Sequence, residues 1–398
     1  MSTPTPPATT TDSGIPAAND QHSLTVGPTG PAVLHDHYVV QKLQHFNRES
    51  VPKRVVHAKG SGAHGFLEVT EDMTWLTRAS FLARVGKRTP VFARFSTVAG
   101  EQGSADTMRD PRGFALKLYT DEGNYDLVGK ITPVFFIRDA ASNMNGYGSH
   151  TFSTVNAGGE RFWVKFHFKT AQGSETFRDA EAKALAAEDP DFHRRDLSES
   201  IAAGRAPEWR LELQVMPWAD AAGYRFNPFD VTKVWPHADF PPIPVGRLVL
   251  DREPGARHRP EPGQDADGQD LLVPRRPSAP DRHELGAQPV YAPNSYGGPR
   301  ADSLHGADLG WQVEAGELGR YAYDLHAEDD DFGQAGALVR DVLTAAERDN
   351  LVGNSVGHAG HGVSAGVQQR VVAYWTAVDA ALGTRVAAGL GLPATASL

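Results

Sequence analysis

Residues 54–70 read Arg54-Val55-Val56-His57-Ala58-Lys59-Gly60-Ser61-Gly62-Ala63-His64-Gly65-Phe66-Leu67-Glu68-Val69-Thr70. A short apolar run places His57 between two cationic side chains, and the Gly-Ser-Gly that follows is expected to break the run and turn the backbone. Residues 65–70 have the β-branched and aromatic composition of a strand. An isolated histidine in such a run is more often structural than functional, so the neighbouring segments must decide its role.

Short β-branched and aromatic runs punctuated by Gly and Asp extend this pattern along the chain. Strands are predicted at residues 65–70, 90–98, 113–119 and 132–137, and again at 150–156, 161–169, 209–216 and 245–250. The regular spacing indicates an antiparallel meander that closes into a barrel. We therefore predict an α+β protein built on an eight-stranded antiparallel β-barrel, whose interior is filled by side chains or leaves room for one ligand near its wall.

Four regions follow from the changes in composition. Residues 1–53 are expected to form an N-terminal arm with a short helix at 36–46, and residues 54–256 the barrel, interrupted by a helix at 176–188. Residues 257–300 are rich in Arg, Pro and acidic residues and are predicted to wrap irregularly or to be disordered. Residues 301–398 are predicted to be a helical region, with apolar residues at helical spacing over 336–351 and 363–387.

Composition excludes several classes of function. The net charge of -10 gives no electrostatic reason to approach nucleic acid or an anionic membrane surface. The absence of cysteine excludes disulfides, thiolate metal sites and cysteine nucleophiles. No apolar run is long enough to span a bilayer, and the Thr/Pro/Ala-rich N-terminus does not have the pattern of a signal peptide. These features predict a cytoplasmic protein.

Three weaker patterns have ordinary structural explanations. Residues 353–357 read Gly-Asn-Ser-Val-Gly and match G-x-S-x-G, but a nucleophile elbow needs a preceding buried strand, whereas a helix is predicted there. His35 and His37 could form a metal pair, but residues two apart point away from each other in a helix. His358 and His361 lie in a Gly-rich stretch that is better explained as a helix-ending turn.

A more informative set joins His57 to Arg94, Ser96, Arg112 and the segment 126–139. An imidazole on one strand, a hydroxyl able to orient it from another, and arginines able to pair with carboxylates make a pocket for an anionic cofactor, with a proton shuttle above it. Arg112 lies in the charge-dense loop 103–113, for which a salt-bridged structural connection is an equally good explanation.

Seven blocks of this sequence form a recognisable set: RVVHAKGSGAHG (54–65), RFSTVAGE (94–101), RDPRGFA (109–115), NGYGSHTF (145–152), NPFDVTKVWPH (227–237), APNSYGG (292–298) and HAEDDDF (326–332). Together they resemble the monofunctional haem catalases. The resemblance runs from about residue 21 to the C-terminal helices. It implies an antiparallel barrel, a wrapping connection and a helical C-terminal region, assembled as a homotetramer around buried haem b.

The same resemblance implies that the protein converts hydrogen peroxide to water and oxygen. His57 would be the distal acid/base that takes a proton from one peroxide oxygen and returns it to the other. Ser96 would orient the imidazole, and Arg54 and Arg94 would hold the haem propionates. Some members also bind NADPH, through the block that here contains Val234, Trp235 and His237.

The chain departs from the family pattern in three places. Lys130 and Ile131 stand where the family has an Asn-Asn pair, one member of which holds peroxide. Residues 140–144 replace a longer segment that includes a haem-stacking Phe. The proximal R-x-F-x-Y-x-D motif is absent between residues 250 and 286, and neither Tyr291 nor Tyr296 has a matching context, so the metal ligand is unassigned.

These departures predict weak haem retention and low activity. The alternatives are a non-enzymatic protein that keeps the catalase fold, a related haem peroxidase with another substrate, and a damaged or misread gene.

Overall fold

The computed structural model describes residues 11–13, 15, 23–27, 32–48, 54, 56–133, 145–173, 177–254, 318–320 and 330–393. Two compact units are present. One contains the described residues up to 223 and those from 228 to 320, and the other contains residues 224–227 and those from 330 onwards. Within this part of the chain, no helix combines the length and the apolar character needed to cross a membrane.

The first unit is built on a nine-stranded antiparallel sheet. Its strands in chain order are β2 (Gly60–Val69), β3 (Arg88–Thr97), β4 (Arg112–Thr120), β5 (Gly123–Lys130), β6 (Gly146–Tyr147), β7 (Phe152–Val155), β8 (Arg161–Thr170), β9 (Glu208–Pro217) and β10 (Ile243–Arg252). The sheet order is β6-β5-β4-β3-β2-β10-β9-β8-β7, and β6 also pairs with β8. This last pairing closes the sheet into an eight-stranded barrel, with β7 added at the side, and confirms the predicted fold class.

Alternation along the strands separates an inner face from an outer face. In β3, Val91 and Ala93 belong to the main core cluster and Phe95 packs against it. The alternate residues Arg94 and Ser96 point to the outer face, although both are only 4% exposed. The barrel interior is therefore a packed core, and the polar groups predicted to carry chemistry lie on the outside of its wall.

Shorter elements complete the two units. Strand β1 (Leu24–Val26) pairs with β11 (Leu318–Arg320), and helices α1 (His37–Arg48), α2 (Asp179–Glu188) and α3 (Phe192–Ala202) belong to the first unit. The second unit contains α4 (Gly333–Ala337), α5 (Ala345–Ala359), α6 (Ala365–Val378) and α7 (Ala380–Leu390), with a π-helical turn at Leu338–Val342. The helical C-terminal region is thus confirmed, whereas the predicted domain boundaries stay predictions.

Several predicted elements have different bounds. The helix predicted at 363–387 is divided at Asp379, whose side chain accepts a hydrogen bond from the Leu382 N–H and so starts a new helix. Helix α3 was not predicted, because its apolar residues are few. The strand predicted at 132–137 was wrong at its start: β5 ends at Lys130, and residues 134–144 lie outside the described residues.

The stretch 54–62 also differs from its prediction. Residues 56–59 form a bend before the sheet, whereas Gly60, Ser61 and Gly62 lie inside β2 instead of breaking a strand. Their neighbours explain why glycine is used here: a Cβ at Gly60 would lie 2.8 Å from Arg94 Nη2, and one at Gly62 would lie 2.6 Å from the Ala93 carbonyl oxygen. These glycines therefore allow close packing and do not mark a turn.

We predict that Gly65→Ala destabilises the barrel. A Cβ at Gly65 would overlap the carbonyl oxygen of Val249 and lie 2.8 Å from the Leu250 Cα, so the β2–β10 pair would have to separate. A loss of about 3 kcal/mol in the free energy of unfolding is expected in urea titrations. Gly103→Ala is the matched control, because no atom lies within 4 Å of the added Cβ there. Equal stability of the two variants would contradict the close packing described.

Candidate active site

His57 is held in an uncommon backbone conformation just before β2. Its φ is 64°, in the left-handed region that non-glycine residues rarely adopt. Two hydrogen bonds hold it there: the His57 N–H donates to the Val98 carbonyl at 2.8 Å, and Arg94 Nη2 donates to the His57 carbonyl at 2.9 Å. Such strain persists where the surroundings fix the backbone, and it is frequent at functional sites.

The imidazole stands against a row of paired residues on the outer face of the barrel. The row consists of Gly60, Ser96, Gly113 and Lys130, which are direct neighbours on β2, β3, β4 and β5. The Nδ1 atom of His57 lies 2.9 Å from Ser96 Oγ. A Cβ at Gly113 would lie 3.1 Å from Nδ1 and 3.2 Å from Cε1, so the ring occupies the space that a side chain at this position would need.

Burial and nearby cations keep this imidazole neutral. Burial lowers the pKa of His57 from 6.5 to about 4, and the positive charges of Lys130, Arg94 and Arg54 act in the same direction. The Asp110 carboxylate acts in the opposite direction on this pKa. In the tautomer whose Nδ1–H donates to Ser96, Nε2 carries a lone pair that can accept a proton from a ligand.

The loop before β4 is stabilised largely by Arg112. This guanidinium donates to the carbonyls of Asp110, Asp106 (2.8 Å) and Met108 (2.6 Å), all within its own loop. The Asp110 carboxylate accepts from the N–H groups of Val98 and Ala99 at 2.5 and 2.8 Å. These contacts favour the structural explanation for Arg112, which holds Asp110 and the start of β4 beside His57.

A cleft of about 400 Å³ opens on the outer face next to the candidate site. Arg54 and Arg94 line it, together with Arg194, Leu197 and other residues of α3 and the segment after β10. Lys59 connects the bend that contains His57 to the α3 side of the cleft, since its Nζ lies 2.5 Å from Asp191 Oδ1 at the start of α3. Three guanidinium groups make this cleft suitable for a ligand that carries carboxylates.

The residues predicted to contact NADPH form a separate group against β8 and β9. Trp235 is 1% exposed, its Nε1 donates to the Pro228 carbonyl at 3.1 Å, and its ring lies 5.5 Å from Lys165 Nζ. Val234 is half-buried and His237 is exposed. Trp235 therefore supports the strands β8 and β9, whereas Val234 and His237 present surface to a ligand.

The structure places Ser96, Arg94 and Arg54 near His57, while the roles assigned to these residues stay predictions. Sequence reasoning missed Gly113 and Asp110 as positioning residues, although an isolated glycine inside a strand pattern indicates a close approach of another group. The stretch 257–300, which includes Tyr291 and Tyr296, and residues 140–144 lie outside the described residues.

The alternative sites find no support in the described regions. The Gly353-Asn354-Ser355-Val356-Gly357 sequence lies inside α5, where Ser355 Oγ donates to the Leu351 carbonyl, so no strand–turn–helix elbow forms. His358 also lies in α5, within hydrogen-bonding distance of the Asn354 carbonyl. Among the described residues, no three His, Asp or Glu side chains come together as a metal-binding group.

The sequence profile of the family described as Catalase matches residues 10–143 and 140–261, and that of Catalase-related immune-responsive proteins matches 326–390. A bromoperoxidase-catalase of Streptomyces venezuelae is 40% identical, with 96% of this chain and 98% of the relative covered. A catalase of Methanosarcina barkeri is also 40% identical, with coverage of 96% and 94%.

Solved structures show the same similarity. A bacterial catalase matches with a TM-score of 0.70 and 35% identity over 98% of this chain and 97% of its own. Catalase A from Saccharomyces cerevisiae matches with a TM-score of 0.73 and 29% identity over 96% and 99%. The alignment with the Streptomyces venezuelae protein is 479 positions long, more than the 398 residues of this chain, so internal segments of that relative have no counterpart here.

The pKa of His57 predicts a pH dependence of stability. Between pH 6.5 and about 4 the unfolded chain protonates this imidazole while the folded protein does not, so stability falls as pH falls through this window. His57→Asn tolerates the positive φ and removes this contribution, on the order of 3 kcal/mol. Urea unfolding followed by tryptophan fluorescence at pH 7 and pH 4 measures it. The exposed His361→Asn is the control, and parallel losses in all three proteins would contradict the assignment.

Gly113→Ala tests the packing beneath the ring. The added methyl would lie 2.6 Å from Ser96 Oγ and 3.1 Å from His57 Nδ1, so the imidazole must move outward. Loss of burial should raise the pKa of His57 from about 4 towards 6.5, as measured by NMR titration of the ring. Gly103→Ala again serves as the control. An unchanged pKa in Gly113→Ala would show that the ring does not depend on this position.

Proposed function

The chain belongs to the catalase family, and on that premise we propose that it decomposes hydrogen peroxide at the outer-face site around His57. Family membership and the 40% identity to catalases over nearly the full chain support an oxidoreductase that acts on peroxide. The observation that supports this particular site is the neutral, fixed imidazole of His57 with Ser96 Oγ 2.9 Å from its Nδ1. A group of this kind is suited to proton transfer.

The proton movements follow from the two nitrogens of the ring. Nε2 takes a proton from one oxygen of hydrogen peroxide and returns it to the other, which would leave as water where a bound haem supplied the two electrons for cleavage of the O–O bond and took up the remaining oxygen. Ser96 keeps the ring in one orientation during both transfers, and the hydrogen bonds at Val98 and Arg94 keep its backbone in place. Because the lowered pKa keeps His57 unprotonated at neutral pH, the base form is available before each turnover.

We propose haem b as the cofactor, which when bound supplies the redox chemistry that proton transfer alone cannot provide. The residues present fit one part of this group: Arg54 and Arg94 line a cleft whose guanidinium groups suit the propionates. The described residues contain no assigned ligand for the iron. Weak haem retention therefore remains our expectation.

The oligomeric state, the location in the cell and NADPH binding are further proposals. A homotetramer is expected from the family resemblance, and a cytoplasmic location from the cysteine-free sequence. NADPH would contact the surface formed by Val234 and His237, with Trp235 supporting it from behind.

Oxygen evolution and the absorption spectrum of the purified protein test the function. We expect less than one haem per chain, slow oxygen release from hydrogen peroxide, and loss of this activity in His57→Asn by at least a hundredfold, because no base remains. Ser96→Ala should retain the base but misorient it, and should therefore lose less.

The outcomes separate the alternatives. Oxygen evolution that is unchanged in His57→Asn contradicts the proposed site. A folded, haem-free protein without activity would indicate the non-enzymatic alternative, and stoichiometric haem with fast turnover would show that the expectation of low activity is wrong.

A further inference from the structure

Lys59 is the last residue of the bend that contains His57, and its ammonium group is buried. The Lys59 side chain is 8% exposed, and its Nζ lies 2.5 Å from Asp191 Oδ1. The Lys59 carbonyl accepts a hydrogen bond from the Thr97 N–H at 3.1 Å, so the bend is joined to β3 two residues after His57. A buried ammonium group needs an opposite charge close to it, and Asp191 supplies that charge.

Asp191 does not use its carboxylate in the way that its position predicts. It directly precedes α3, where an aspartate usually accepts a hydrogen bond from the N–H of the second or third helical residue. Within α3, which is described in full, Asp191 makes no such bond. These two N–H groups, of His193 and Arg194, donate instead to the Asp106 carboxylate in the loop before β4, at 3.2 and 3.0 Å. The Asp191 carboxylate is therefore left to pair with Lys59.

Asp191 is held in place by contacts that do not involve Lys59. The Asp106 N–H donates to the carbonyl of Pro190, the residue before Asp191, at 2.9 Å. The Asp106 carbonyl in turn accepts from Arg112 Nη2 at 2.8 Å. These bonds fix the start of α3 to the loop before β4. Since Asp191 has a fixed position, its ion pair with Lys59 restrains the bend.

Resting on the proposed function, we propose that the Lys59–Asp191 ion pair positions His57 for proton transfer. The backbone of His57 has a φ of 64°, and the ion pair restrains the chain two residues further on. When the pair is broken, the bend is held by hydrogen bonds to its main chain alone, and it relaxes towards a more common conformation that moves the ring away from Gly113. Lys59 and Asp191 are positioning residues, because they act through the backbone of His57.

The pKa of His57 is a measure of the position of its ring. Burial is the largest cause of the lowering of this pKa to about 4, and neither Lys59 nor Asp191 is among the charges that shift it. A change in the pKa of His57 when the ion pair is broken therefore reports a movement of the ring, not the loss of a charge beside it.

Asp191→Asn is the decisive variant. The amide keeps the size of the side chain and removes its charge, so the ammonium of Lys59 loses its compensation and moves towards water together with the bend. NMR titration of the full-length protein should show that the pKa of His57 rises from about 4 towards 6.5. Asp191→Glu keeps the carboxylate on a side chain that is 47% exposed, and should keep the low pKa. Asp179→Asn, which breaks the Lys183–Asp179 pair on α2, is the control and should also keep it.

A double variant tests whether the two residues act as one unit. Lys59→Met removes the ammonium and keeps an apolar side chain, so it should raise the pKa of His57 less than Asp191→Asn, in which an uncompensated charge remains. The double variant should have the same pKa of His57 as Lys59→Met alone. Additive increases would show that the two residues act independently and would overturn the proposal.

An unchanged pKa of His57 in Asp191→Asn also overturns the proposal. Circular dichroism checks that each variant is folded. Where Lys59→Met does not fold, the comparison of Asp191→Asn with Asp191→Glu decides, because both variants change only a partly exposed side chain.

The result can be separated from the outcome for the proposed function. The titration of His57 needs no turnover, so a raised pKa in Asp191→Asn supports the positioning role even in a preparation that evolves no oxygen. Where oxygen is evolved, Asp191→Asn should lower the rate about tenfold and Asp191→Glu should retain it. Oxygen evolution at the wild-type rate together with an unchanged pKa of His57 in Asp191→Asn would support the function and overturn the role of the ion pair.

Discussion

The candidate active site depends on the absence of a side chain at Gly113. The imidazole of His57 fills the space above this residue, where its Nδ1 lies 2.9 Å from Ser96 Oγ on the neighbouring strand. The left-handed backbone at His57 costs about 1–2 kcal/mol, which two hydrogen bonds of about 1 kcal/mol each can offset. Contacts with the sheet thus fix the position of the ring, and the two hydrogen bonds fix the backbone of His57.

The surroundings of this ring are strongly cationic, which has two consequences. Burial disfavours a charged imidazole most, and Lys130, Arg94 and Arg54 act in the same direction, so the resting site contains a neutral base. The same charges attract the anion that proton transfer from a neutral substrate would leave beside Nε2. Asp110 moderates this field while its carboxylate stabilises the turn after β3. Structural and electrostatic roles are therefore combined in one loop.

Much of this arrangement could be predicted from the sequence, because alternation and turn composition define most of the strands. The pairing of His57 with Ser96 was predicted from an imidazole on one strand and a hydroxyl on another, and the family motifs imply the same role for Ser96. What could not be predicted depends on contacts between distant segments. In the sequence, the glycines at 60 and 62 indicate the end of a strand. In the structure they lie within β2, and they are glycines because Arg94 and the Ala93 carbonyl pass close to them. Arg112 looks like a cofactor ligand, but its three backbone contacts depend on how the loop folds.

The closure of the barrel explains how a shortened chain can keep this half of the site. The eight strands that close the ring lie between residues 60 and 252, and closure depends on β6, a strand of two residues. Gly146 and Tyr147 pair with Phe168 and His167 of β8, and Tyr147 also pairs with Lys130. The row that positions His57 therefore ends at the seam where the barrel closes. The base and its cations are therefore positioned by strand pairings that lie between residues 60 and 147.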